Sequence, residues 1–140
     1  IGMRRFDEAI VHLQQAILLS PDDAQVRNNL GNLLAMRGSH AEAKEHFEVS
    51  LRLSPDNALT MNNLANALAA VGRLPEAEQM YRRAIAANPS SAGMRYNLAV
   101  CLRMQGKDRE AEAELIEVLR LDPTHAGALK ALESPGGQRR

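Results

Sequence analysis

Neither sign of charge predominates in this sequence. Seventeen Lys and Arg offset seventeen Asp and Glu, so no net field draws the chain to nucleic acid or to an anionic membrane. Long hydrophobic runs are missing as well. Stretches such as Ala67–Val71 fall far short of the roughly 20 apolar residues that cross a bilayer, and no membrane insertion is expected. Cys101 is the single cysteine, which excludes an internal disulfide and permits a reducing, cytoplasmic setting. The chain opens at Ile1 with neither an initiator methionine nor a charged-then-apolar leader, so it is expected to be a fragment of something longer.

Catalytic constellations are absent too. No glycine-rich phosphate loop follows a strand, and Cys101 has no base in register to activate it. His12, His40, His46 and His125 are scattered, whereas zinc asks for three or four close ligands. No catalytic residue, metal or cofactor is expected.

What the chain does have is a period. Hydrophobic residues make up 45% and charged residues 24%, enough for a core and for solubility. Pro21, Pro55, Pro89 and Pro123 recur every 34 residues, each after an amphipathic run, while Pro75 and Pro135 stand outside the series. Gly38, Gly72 and Gly106 keep the same interval, as do Ala43, Ala77 and Ala111, and Leu30, Leu64 and Leu98. In the stretch from 24 to 57, Leu30-Gly31 is followed by Leu34, Gly38, Ala43, Phe47 and Pro55. The next unit has Leu64-Ala65, Leu68, Gly72, Ala77, Tyr81 and Pro89; the third has Leu98-Ala99, Leu102, Gly106, Ala111, Leu115 and Pro123.

This pattern resembles the tetratricopeptide repeat (TPR), in which two helical segments fill each period of about 34 residues. It departs from the family at the tryptophan near the start of each unit, replaced here by Arg27, Met61 and Arg95. The resemblance implies an all-α, right-handed superhelical solenoid of antiparallel helix pairs, stabilised by stacking and offering an extended concave surface lined by the first helices. One domain over 1–133 is expected: a second helix of a partial repeat (1–23), full repeats at 24–57, 58–91 and 92–125, and a first helix of a partial repeat (126–133). The Pro-Gly-Gly-bearing tail, 134–140, is expected to be disordered.

Local signals agree with paired helices. Ser39 and Glu42 have capping-box spacing, and Pro75 suits the first turn of a helix. Gly38, Gly72 and Gly106 are placed to end first helices in the left-handed conformation. The small residues Gly31, Ala65 and Ala99, with Ala43, Ala77 and Ala111, allow axes about 8 to 10 Å apart. Glu48 with Arg52, and Glu78 with Arg82, have i,i+4 order for surface ion pairs.

Aligning the units brings asparagines into register on the first helices: Asn29, Asn63 and Asn97; Asn28 and Asn62; Asn32 and Asn66. A carboxamide both donates and accepts, so such a ladder can hold the backbone of an extended peptide without reading its side chains. The ladder is similar to that of the peptide-binding superhelix in the O-linked N-acetylglucosamine transferase family, which implies a protein-interaction scaffold with a peptide or protein partner. The family's carboxylate clamp for chaperone tails also needs cations. Asn32 and Asn63 match it, but Asn28, Gly93 and Asn97 stand where Lys and Arg are required, so the charge-assisted bonds are missing. Arg27, Arg95 and Arg103 offer a preference for acidic partner residues, and Tyr96 an aromatic anchor. Two alternatives follow: a targeting fragment of a larger enzyme, or homo-oligomerisation through the bare terminal half repeats. The second would use Phe6, Ile10, Leu13 and Ile17 at one end and Ala128, Leu129 and Leu132 at the other.

Overall fold

A computed structural model describes residues 2–134. Among them run eight helices and no strand: α1 (Gly2–Leu19), α2 (Ala24–Met36), α3 (His40–Leu53), α4 (Ala58–Ala70), α5 (Leu74–Ala87), α6 (Ala92–Met104), α7 (Asp108–Leu121) and α8 (Ala126–Glu133). Of the tail expected to be disordered, 134–140, Ser134 ends α8 with its N–H on the Lys130 carbonyl, and residues 135–140 lie outside the described residues.

Three glycines turn each first helix into its second. Gly38, Gly72 and Gly106 have φ of 89, 85 and 78°, conformations an L side chain resists. At each, two backbone bonds close the helix end. Gly38 N–H donates to Ala35 at 3.0 Å and Ser39 N–H to Leu34 at 2.8 Å, and Gly72/Arg73 and Gly106/Lys107 repeat the pattern. This geometry corrects the expected capping box at Ser39. Its side chain makes no capping bond, and the backbone N–H that Glu42 would need already donates to Leu34. Pro75 does occupy the first turn of α5.

Side-chain caps belong instead to the first helices. Asp23, Asn57, Ser91 and His125 accept from the N–H groups of Val26, Thr60, Met94 and Ala128. Those four caps are themselves 34 residues apart.

Helices pair as α2–α3, α4–α5 and α6–α7, and each pair stacks on the next; α2 also touches α4, and α4 touches α6. The first helices therefore form one row. Between the layers lie Leu30, Leu34, Phe47, Leu64, Leu98 and Leu102, with Ala43, Ala77 and Ala111 fully buried where second helices meet first. On the surface Glu78 pairs with Arg82 as expected, but Glu48 takes Lys44 rather than Arg52.

The terminal faces differ from expectation. Ile10 is 4% exposed and belongs to the core, and Leu13 and Ile17 pack against it. The stripe expected to be bare thus lies on α2; the apolar residues that α1 leaves in solvent are Met3, Val11, Leu18 and Leu19. At the other end Ala128 is buried and Leu132 packs beside it, while Leu129 is exposed.

Candidate interaction groove

Asn28 and Asn62 stand one residue before the register of Asn29, Asn63 and Asn97, and neighbours on a helix point about 100° apart. Asn28 and Asn62 are turned into the stack, 5% and 8% exposed. Asn28 Oδ1 accepts from the fully buried Thr60 hydroxyl at 3.1 Å and from Asn63 Nδ2 at 3.4 Å. Asn62 Oδ1 accepts from Asn97 Nδ2 at 3.2 Å. Asn63 Nδ2 also reaches Asn32 Oδ1 at 3.0 Å. The ladder is therefore a set of bonds between repeats before it is anything else.

Several amide groups remain unspent among the described residues. Asn29 is exposed and receives Gln25 Nε2 on its oxygen, leaving its own NH2 without an acceptor. Asn66 is exposed and accepts from the Tyr81 hydroxyl at 2.6 Å, again with no acceptor on its NH2. Asn63 and Asn97, half-buried, spend donors within the stack but receive nothing on Oδ1. The row thus presents donors and acceptors together.

The other expected site residues are engaged within the fold. Arg27 and Arg95, at the position of the family's tryptophan, each reach the carbonyl of the proline six residues earlier, Pro21 and Pro89, at 3.5 Å. Each also meets a side chain on the paired second helix: Arg27 meets His46 at 3.5 Å, and Arg95 meets Glu114 at 3.2 Å. Arg103 donates to the Ala131 carbonyl at 2.7 Å. Tyr96 stacks obliquely on His125, ring centroids 4.8 Å apart, and lies against Gly127, so it anchors α8. Cys101 is buried with Sγ 3.5 Å from the Leu74 carbonyl, and burial pushes its thiol pKa up, against thiolate chemistry.

Sequence reasoning missed the apolar part of this face. Leu59 lies one turn before Asn63, Met36 one turn after Asn32, and Val100 and Met104 continue the face of Asn97; all four are exposed. Val100 shares the register of Asn32 and Asn66. An apolar residue where the other units carry amides was a legible signal.

Among the described residues no three His, Cys, Asp or Glu side chains gather where a metal could be held, and no helix is long and apolar enough to cross a membrane.

Comparison with known families decides the class. Tetratricopeptide-repeat models match residues 22–90 and 62–131, the second of which spans half of the chain's length, and a further TPR model matches 5–38. The chain belongs to the tetratricopeptide-repeat family. TPR proteins act as protein-interaction scaffolds. Among solved structures, MamA is similar with a TM-score of 0.87 and 21% identity, over 91% of this chain and 74% of that one. The first TPR of Spaghetti (RPAP3), bound to the HSP90 peptide SRMEEVD, is similar with a TM-score of 0.77 and 24% identity, over 79% of this chain and 88% of that one. At such identities the likeness concerns the fold. No curated protein matches the sequence significantly.

Proposed function

We propose that this TPR chain holds an extended segment of a partner protein along its first helices. The observation that carries this reading is the row of outward amide groups on Asn29, Asn63, Asn66 and Asn97, with Asn32 beside them. Asn29 and Asn66 have donors to spare and Asn63 and Asn97 have acceptors, and an extended backbone needs partners of both kinds. Leu59, Val100, Met36 and Met104 add apolar contact for partner side chains. Asn28 and Asn62 act from behind, tying one repeat to the next. An acidic chaperone tail is a poor ligand, since the three cation positions of the clamp are Asn28, Gly93 and Asn97.

The test is capture from an array of extended peptides by the wild type and by Asn29→Ala/Asn66→Ala and Leu59→Glu variants, with helicity checked by circular dichroism. Ligands captured by the wild type and lost in folded variants support the reading. Capture indifferent to all three substitutions sinks it.

Self-association is a second reading, favoured by exposed Val11, Leu18 and Leu19 on α1. It predicts a concentration-dependent mass abolished by Leu18→Glu.

A further inference from the structure

Charge is unevenly divided between the first and second helices. Every exposed residue of α2, α4 and α6 is uncharged: Gln25, Asn29 and Asn66 are polar, and the rest are apolar or glycine. These helices contain no Asp, Glu or Lys, and their arginines are Arg27, Arg95 and Arg103. All three are half-buried and bonded within the fold: Arg27 to the Pro21 carbonyl and His46, Arg95 to the Pro89 carbonyl and Glu114, Arg103 to the Ala131 carbonyl. Glu78, which reaches Gln105 just past α6, also holds Arg82 and Lys107.

The charge lies elsewhere. The second helices α3, α5 and α7 expose Glu42, Glu76, Arg83 and Glu110, among others. The turns add exposed charge at the ends of the first helices. Asp22, Asp23 and Asp56 precede α2 and α4, and Arg37, Arg73 and Lys107 follow α2, α4 and α6, each sign at the end that the helix dipole favours. The amide row is thus an uncharged strip between an acidic and a basic margin. With 24% of all residues charged, composition alone does not make it neutral.

We propose that the partner segment held on this strip is itself uncharged over about five or six residues, with hydroxyl, amide and small aliphatic side chains. This rests on the reading of the row as a peptide groove and adds the partner's chemistry to it. The length follows from helix spacing. Steps of about 8 to 10 Å lead from α2 to α4 and from α4 to α6, and an extended chain at about 3.3 Å per residue covers both in about five or six residues. The composition follows from electrostatics. A Lys or Glu laid on the strip loses water and gains no opposite charge. A hydroxyl or carboxamide instead meets Asn29, Asn66 or Asn97, and a methyl group meets Leu59 or Val100.

The test titrates end-capped, fluorescently labelled peptides into the full chain. Their central residues, about six, are drawn from Ala, Val, Ser, Thr, Asn and Gln. The tightest binder is then remade with Glu, Lys or phosphoserine at each central position in turn. Binding of the neutral peptide is expected to be lost in the folded Asn29→Ala/Asn66→Ala variant. It should change less than about twofold between about 50 mM and about 500 mM salt, because no ion pair is there to be screened. Each charged form should bind at least about tenfold more weakly. Val100→Lys, which places a cation on the strip, should bind a Glu form at least about threefold better than the wild type does, and no Lys form better.

Charged forms as tight as the neutral peptide, still lost in the asparagine variant, overturn this proposal and leave the groove reading standing. Binding that falls steeply with salt overturns it too. So does failure of Val100→Lys to favour any Glu form, since shape rather than charge would then be rejecting it. No binding from the neutral set, or binding indifferent to the asparagine variant, overturns the proposal and the groove reading together.

Discussion

Gly31 lies under the ring of Phe47: a Cβ at residue 31 would stand 2.6 Å from Cε1. No carbon can sit there, so the ring has taken the space of a methyl group. The corresponding pairs are Ala65 with Tyr81 and Ala99 with Leu115, all buried. Gly31→Ala gains helix propensity of about 1 kcal/mol but overpacks a full interior, at a cost of about 1–3 kcal/mol. A net loss of stability is expected. In a Phe47→Leu background, which mimics the third repeat, the same substitution should be neutral or stabilising. Urea unfolding of the four proteins in the cycle measures this coupling, and additive effects would contradict the packing argument.

Gly72 makes the opposite case. A Cβ there meets nothing within 4 Å, yet φ is 85°. Gly72→Ala should therefore destabilise by about 1–2 kcal/mol through backbone strain alone, and Gly72→Asn by less, since asparagine tolerates this conformation. Equal losses for Ala and Asn would point to contact rather than conformation.

Asn28 and Asn29 are adjacent in sequence and opposite in role. Asn28→Ala strands the buried Thr60 hydroxyl and should cost about 1–3 kcal/mol, whereas Asn29→Ala should stay within about 0.5 kcal/mol. Adding Thr60→Val to Asn28→Ala removes the stranded donor, so the double variant should lose less than the two single losses combined. Chemical denaturation at constant m-value decides it.

That contrast marks how far the sequence could be read. The helix order was legible because a 34-residue period carries its own turn glycines, and each has the positive φ that its position demands. The capping series Asp23, Asn57, Ser91 and His125 shares that period but was hidden by four different residue types; only the acceptor chemistry repeats. Which asparagine faces solvent depends on how one repeat is rotated against the next, and that is a property of packing. The same is true of Ile10, whose place in an amphipathic stripe was legible while its burial against α2 was not.

Acid should destabilise the chain in two steps. His46 is held below its ordinary pKa of 6.5, first by burial and then by Arg27, with Glu42 and Glu45 opposing. A depressed histidine stays neutral in the fold while the unfolded chain takes a proton, so its contribution is complete above about pH 6.5 and is lost as the pH falls below that. Glu78 is held below its ordinary 4.5, first by the bond from Lys107 at 2.9 Å, with Gln105 and Arg82 adding to it against an opposing desolvation effect. Its ion pairs, with Arg82 on the same helix and with Lys107 at the start of α7, act fully above about pH 4.5 and fail as the pH drops through the lower, folded value. Denaturation midpoints followed from pH 8 to pH 3 should therefore fall first near 6.5 and again below 4.5. His46→Gln should flatten the first step and Glu78→Gln the second. A single step unaffected by either substitution would show that other groups carry the acid sensitivity.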